Sequence, residues 1–161
     1  MGDIDTFVPL VCECQTYGWG KVGAESQVAQ LVKSGQGLEI EDSTPYAELW
    51  MGTHKNGPSK VSSGVLLGDW IGSKPGVLGP EVEEKFGAVL PFLFKVLSIN
   101  KSLSIQAHPE KQHAAILHEN HPQIYKDANH KPEMAIALTK FEALCGFRPL
   151  EEIVGFLQGN T

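Results

Sequence analysis

The chain is short of basic charge. Thirteen Lys and Arg stand against nineteen Asp and Glu, for a formal net charge of −6. A general nucleic-acid binder needs a basic surface, so that class is set aside. An anionic small molecule is not excluded, because a few local lysines hold one phosphate against an acidic background. Cysteine is scarce too: Cys12, Cys14 and Cys145. Three is odd, and Cys12 and Cys14 are too close to bridge each other comfortably. A reduced, cytoplasmic compartment is expected rather than a disulfide framework. No apolar run is long enough to cross a bilayer. The first residues lack a basic stretch ahead of an apolar one, so no signal peptide is read. Met1-Gly2 with Thr6 fits the loose myristoylation pattern, and Asn100-Lys101-Ser102 fits a glycosylation sequon. Both read as chance matches, given the acidic N-terminus and the reduced compartment. Internal repeats and low-complexity tracts are absent.

What remains is an ordinary globular composition: 161 residues, 42% hydrophobic and 20% charged, enough for one domain with a real core. Val8 to Gln15 is apolar and β-branched enough for an opening strand. Tyr17-Gly18-Trp19-Gly20-Lys21 reads as a turn. Ser26 is an N-cap candidate for a helix over 27–33, ended by Ser34-Gly35. Pro45 to Gly52 reads as extended, His54 to Ser63 as a loop, and Val65 to Gly72 as a short helix. Pro91 to Ile99 is a near-continuous apolar run, hence a buried strand, interrupted by Lys95. Leu103 to His108 is expected to pair with it in a hairpin. A helix then starts at Pro109 and stops before Pro122. Residues 133–139 and 141–147 read as two more strands, and 149–158 as a helix. Many strands and short helices predict a mostly β domain, a barrel or jelly roll with helices packed outside.

The chemistry concentrates in Leu103-Ser104-Ile105-Gln106-Ala107-His108-Pro109. Alternation on a strand puts Ser104, Gln106 and His108 on one face. An amide oxygen and an imidazole side by side are metal-ligand chemistry, and Glu133 is a candidate for an added carboxylate. Such a set leaves Zn²⁺ largely uncompensated, which suits a Lewis acid more than a structural clamp. The plainer alternative has Gln106 in solvent, His108 on the surface before Pro109, and Glu133 starting a strand. A rival group, His113, His118, His121 and His130, is better read as helix-end histidines beside the C-terminal dipole. Lys95 in its apolar run needs a partner or a wet cavity, unless its stem snorkels out at a rim. Lys131 lies near Glu133, on loop surface or in a site. His54 reads as a loop residue, and Trp19, Trp50 and Trp70 as packing.

Together these segments resemble a known family. Gln15-Thr16-Tyr17-Gly18-Trp19-Gly20-Lys21, the stretch from Tyr46 to His54, the stretch from Leu90 to Ser98, Ser104-Ile105-Gln106-Ala107-His108-Pro109, His130-Lys131-Pro132-Glu133-Met134 and Cys145-Gly146-Phe147-Arg148-Pro149 are similar, in order, to the amino-terminal part of eukaryotic type I phosphomannose isomerases. The resemblance implies a cupin-type jelly-roll barrel, incomplete in this chain. It implies a catalytic-domain portion over 1–148 and the start of a helical domain over 149–161. It also implies one zinc ion on Gln106, His108 and Glu133, with a fourth ligand, a histidine, and an active-site arginine beyond residue 161. The implied reaction interconverts mannose 6-phosphate and fructose 6-phosphate, feeding mannose activation for glycosylation. Candidates for catalysis are Lys131, Lys95 and His54; candidates for substrate contact are Ser104, Lys95 and Trp19. A monomer taking a small sugar phosphate, with no nucleic acid and no membrane, is the expected form. The alternative is a truncated cupin module that binds metal or a partner without turnover.

Overall fold

The computed structural model describes residues 7–159, so the myristoylation-like start lies outside the described residues. The chain forms two compact units, Met1–Lys101 and Ser102–Thr161.

Among the described residues the first unit carries all seven strands: β1 (Leu10–Val11), β2 (Glu13–Gln15), β3 (Lys21–Val22), β4 (Pro45–Tyr46), β5 (Glu48–Met51), β6 (Lys60–Val61) and β7 (Phe94–Leu97). They pair antiparallel as β1-β6, β3-β4 and a three-stranded β2-β5-β7. Three α-helices, α1 (Gln27–Gln36), α2 (Leu67–Gly72) and α3 (Pro80–Phe86), and a 3-10 turn at Gly23–Glu25 accompany them. The expected opening strand is real but broken at Cys12. The Gln36 amide explains the break. Its Oε1 accepts from the Cys12 N–H and its Nε2 donates to the Cys12 carbonyl at 3.1 Å, so a side chain replaces a strand partner there. Ala47 divides β4 from β5. Its N–H donates to Gln15 O at 2.8 Å, and its carbonyl accepts from Ser98 N at 2.9 Å.

Helix α1 begins as expected. Ser26 Oγ accepts from Ala29 N at 3.2 Å and donates to the Tyr46 carbonyl at 2.7 Å. The helix outruns its expected end by three residues. Gly35 stays helical, and Gly37, at φ 67°, supplies the left-handed cap. Val28, Ala29 and Val32 on its inner face pack with Tyr46 and Leu49 as one core. Val61, Leu67 and Ile71 form a second, covered by Leu10, Trp70 and Leu78. Among the strands and α-helices three were not foreseen: β3, where Lys21 was read as part of a turn, β6 and α3. Lys60–Val61 lies in the expected loop but pairs with β1. α3 has Pro80 at its first turn and Glu81 and Glu83 beside the positive end of its dipole.

The second unit holds α4 (Lys111–Asn120) and α5 (Leu150–Leu157), close to the expected helices. Its expected strands are the main correction. Leu103 to His108, 133–139 and 141–147 form no ladder, and β7 has no hairpin partner there. Alternation gives a segment two faces but does not supply a strand to bond with, and a lone strand leaves its backbone groups to water. The apolar faces of these segments are accordingly exposed, Met134 by 86%, Ile136 by 75% and Leu138 by 85%. Among the described residues the arrangement is therefore mixed helix and small sheet, which does not confirm the expected mostly β, incomplete jelly-roll barrel.

Candidate functional site

In the second unit, folding brings together two of the three expected metal donors. His108 Nε2 and Glu133 Oε2 lie 3.3 Å apart, across 25 residues of sequence. Their side chains are 30% and 63% exposed, so water screens the pair and it adds little to stability. The spacing has another meaning. Zn–N and Zn–O bonds of about 2.0–2.2 Å at a tetrahedral angle set two donor atoms about 3.3 Å apart. Neutral His108 donates its Nε2 hydrogen to Glu133; as a metal ligand it presents the bare nitrogen instead. Gln106 is exposed two residues before His108, and Ser104 two before that. Lys131 is exposed two residues before Glu133. No three His, Cys, Asp or Glu side chains converge among the described residues. The expected set asks for only two of those types, with an amide as the third, and the pair in place fits zinc's donor chemistry.

His118 is committed elsewhere: its Nδ1 meets the Tyr125 carbonyl at 2.6 Å.

The first unit holds a second polar cluster, built by strand register. β5 and β7 pair Trp50 opposite Lys95 and Glu48 opposite Leu97. Period-two alternation puts Glu48 and Trp50 on one face, so Lys95 stands directly across from one and diagonal to the other. The Lys95 ammonium sits 3.2 Å from Glu48 Oε2 and 5.0 Å from the Trp50 ring centre. The Trp50 indole N–H donates to the same Glu48 oxygen. His54 meets the Trp50 ring edge-on, with centres 5.0 Å apart. Its Nδ1 accepts from the Asn56 N–H at 3.2 Å, so in the neutral ring the proton sits on Nε2. Tyr17 faces this charge as well: burial first, then the Glu48 carboxylate, holds its phenol above the usual value. Trp19 is half-buried, its ring 5.9 Å from that of Tyr17.

Glu48 and Tyr17 are the residues that the sequence reading passed over. The signal for Glu48 was present: a carboxylate inside the apolar run Tyr46 to Met51 poses the same question as Lys95 in its own run. Each answers the other. Trp50 is buried, as expected for packing, yet its indole also serves this cluster. An open groove of about 520 Å³, lined by Met51, Trp70, Ile71, Leu78, Phe92 and Phe94, is almost wholly apolar and holds none of these groups.

Comparison with known proteins gives this geometry a family. Residues 7–150 match the family model of the phosphomannose isomerase type I catalytic domain. Mannose-6-phosphate isomerase of Schizosaccharomyces pombe is 56% identical over 149 residues, 92% of this chain and 36% of that protein. The Mus musculus enzyme of the same name is 55% identical over 155 residues, 93% of this chain and 37% of that protein. A variant phosphomannose isomerase from Salmonella typhimurium, solved as a crystal structure, superposes with a TM-score of 0.61 at 38% identity. That match covers 76% of this chain and 31% of the other. A solved mannose 6-phosphate isomerase bound with zinc and yttrium matches at a TM-score of 0.57 and 34% identity, over 75% of this chain and 32% of its own. The chain belongs to the type I phosphomannose isomerase catalytic-domain family, and spans roughly a third of the length of the relatives it matches. Among the described residues no helix is long and apolar enough to cross a membrane.

Proposed function

We propose that this chain carries the zinc-binding part of an isomerase that interconverts mannose 6-phosphate and fructose 6-phosphate. The observation behind it is the approach of His108 Nε2 and Glu133 Oε2 to 3.3 Å, the edge of a tetrahedral zinc site, in a chain of this family. Gln106, His108 and Glu133 are the candidate ligands. Bound there, zinc supplies Lewis acidity toward the sugar's carbonyl and hydroxyl oxygens. The two names on the relatives, together with a zinc-bound neighbour, support this reading.

The isomerisation moves one hydrogen between C1 and C2; along a cis-enediol route, rather than a metal-assisted hydride shift, a base takes a proton from carbon and returns it to the neighbour. Three side chains compete for that role. Lys95 is held by Glu48, and its ammonium lies over the Trp50 ring. His54 Nδ1 accepts from the Asn56 N–H, so in the neutral ring Nε2 carries the proton and is a donor to developing negative charge on oxygen rather than a base. Lys131, beside the metal-binding segment, is the candidate base. Ser104, Lys95 and Trp19 remain the candidates for holding hydroxyls, phosphate and the sugar face. Catalytic-domain residues over 1–148, a cytoplasmic monomer and a role in supplying activated mannose for glycosylation complete the proposal.

Zinc content after dialysis, measured by atomic emission, tests it. Gln106→Ala, His108→Ala and Glu133→Ala should each lower zinc affinity by at least about tenfold, since losing a ligand exceeds the 10–100-fold effect of losing its support. His118→Ala should leave zinc bound. Full zinc occupancy in His108→Ala and Glu133→Ala would refute the assignment. Where mannose 6-phosphate is converted, the same variants should lose turnover.

A further inference from the structure

We infer that Glu48 is a positioning residue, whose carboxylate fixes the Lys95 ammonium so that its remaining N–H groups bind an oxygen of the sugar phosphate. The inference rests on the isomerase reading above.

Burial is the first argument. Glu48 is the one charged side chain among the buried described residues, 8% exposed overall. An ionised carboxylate in that position is costly unless it is paired and hydrogen-bonded. It is both: one oxygen takes the Lys95 ammonium and the Trp50 indole N–H together. An apolar residue of similar volume would serve the packing at least as well, because buried ion pairs seldom beat hydrophobic replacements. The carboxylate therefore does something that packing does not require.

Geometry says what that is. A lysine side chain has four rotatable bonds and loses much freedom when fixed. Here three constraints meet on it. Its backbone is locked in β7 opposite Trp50. Its cation lies over the indole ring at 5.0 Å. Glu48 takes one of its three donors at 3.2 Å. Neither of the other two is used by Glu48, and the side chain as a whole is 29% exposed. A lysine organised in advance loses less entropy on binding an oxygen ligand than a free one does. The Glu48 charge also lessens the net field of the pair, which makes the site one that guides oxygens by direction more than by bulk attraction.

The test uses the zinc-loaded chain and mannose 6-phosphate as the probe, with binding followed by tryptophan fluorescence and calorimetry. Glu48→Gln is the informative variant. The amide oxygen still accepts from Trp50 while the charge on Lys95's partner is gone. It should bind mannose 6-phosphate roughly tenfold more weakly, within the range of coupled neighbours, with its melting temperature nearly unchanged. Lys95→Ala should weaken binding at least as much. The decisive comparison is the double variant Glu48→Gln/Lys95→Ala, expected to bind no worse than Lys95→Ala alone. Should Glu48→Gln lose the fold, Glu48→Asp, which keeps the charge, takes its place with the same expectation of non-additivity. Independent, additive losses overturn the inference and leave the isomerase reading standing. Absence of mannose 6-phosphate binding by the zinc-loaded parent chain overturns both.

Discussion

Gly20→Ala is the substitution whose cost can be worked most directly from the structure. A Cβ at position 20 would lie 2.7 Å from Ala47 N, 2.7 Å from Ala47 Cα and 2.8 Å from Ala47 Cβ. Carbon atoms rest at about 3.5–4.0 Å, so the shortfall is close to 1 Å against three atoms. Neither side can give easily. Ala47 is fully buried and held by its N–H to Gln15 O at 2.8 Å and its carbonyl from Ser98 N at 2.9 Å. Gly20 is held by its own N–H to Tyr17 O at 2.9 Å and by its bridge to Ile99. Its backbone angles are not left-handed, so the effect is one of space alone. Overpacking of this kind costs about 1–3 kcal/mol, and one broken backbone hydrogen bond adds about 1 kcal/mol. We expect a loss of about 2–4 kcal/mol. In a unit of roughly a hundred residues that lowers the melting temperature by at least about 8 °C. Thermal melts by circular dichroism, with tryptophan emission as a second probe, measure it. A fall of less than about 2 °C would show that the Gly20–Ala47 approach is not tight and sink the reasoning.

Two further outcomes follow from the fold. Ser26→Ala removes the α1 cap and the donor to the Tyr46 carbonyl in a fully buried place. A loss of about 2–3 kcal/mol in urea unfolding is expected, and one near zero would show that water or another donor takes over. The Cys14 thiol is pushed up to about 11, by burial first and by the Glu13 carboxylate second, from an ordinary 9.0. Below about pH 9 the thiol is neutral folded or unfolded, and has no effect. Between 9 and 11 the unfolded chain gives up its proton while the native chain keeps it, so stability falls as pH rises. Urea midpoints at pH 8 and pH 10.5 should differ less in Cys14→Val than in the parent. Equal differences would remove Cys14 from the alkaline response.

The structure makes plain why some of this was readable beforehand. Ser26 capping Ala29, the starts of α4 and α5, and the helical turn around Asp69 and Trp70 depend on residues within a turn or two. Short-range hydrogen bonds and the helix dipole act on neighbours, so the order of residues announces them. Donor spacing in Gln106-Ala107-His108 and the run of matching segments were equally visible, because they are written in the order itself. The ends of elements were less so. Gly35 looked like a stop, but the helix runs on to Gln36, whose side chain meets Cys12, and Gly37 takes the cap.

Residue order alone settled the family, the local helices and the list of candidate donors, since each rests on near neighbours or on the string of letters. Tertiary structure decided which of those candidates meet. It set His108 against Glu133 across 25 residues, and seated Glu48 under Lys95 through the β5–β7 register. It also left Leu103 to His108 without a ladder despite its alternation. Pairing between distant segments requires a partner at the right register, and a strand's own pattern records its faces but not its neighbour.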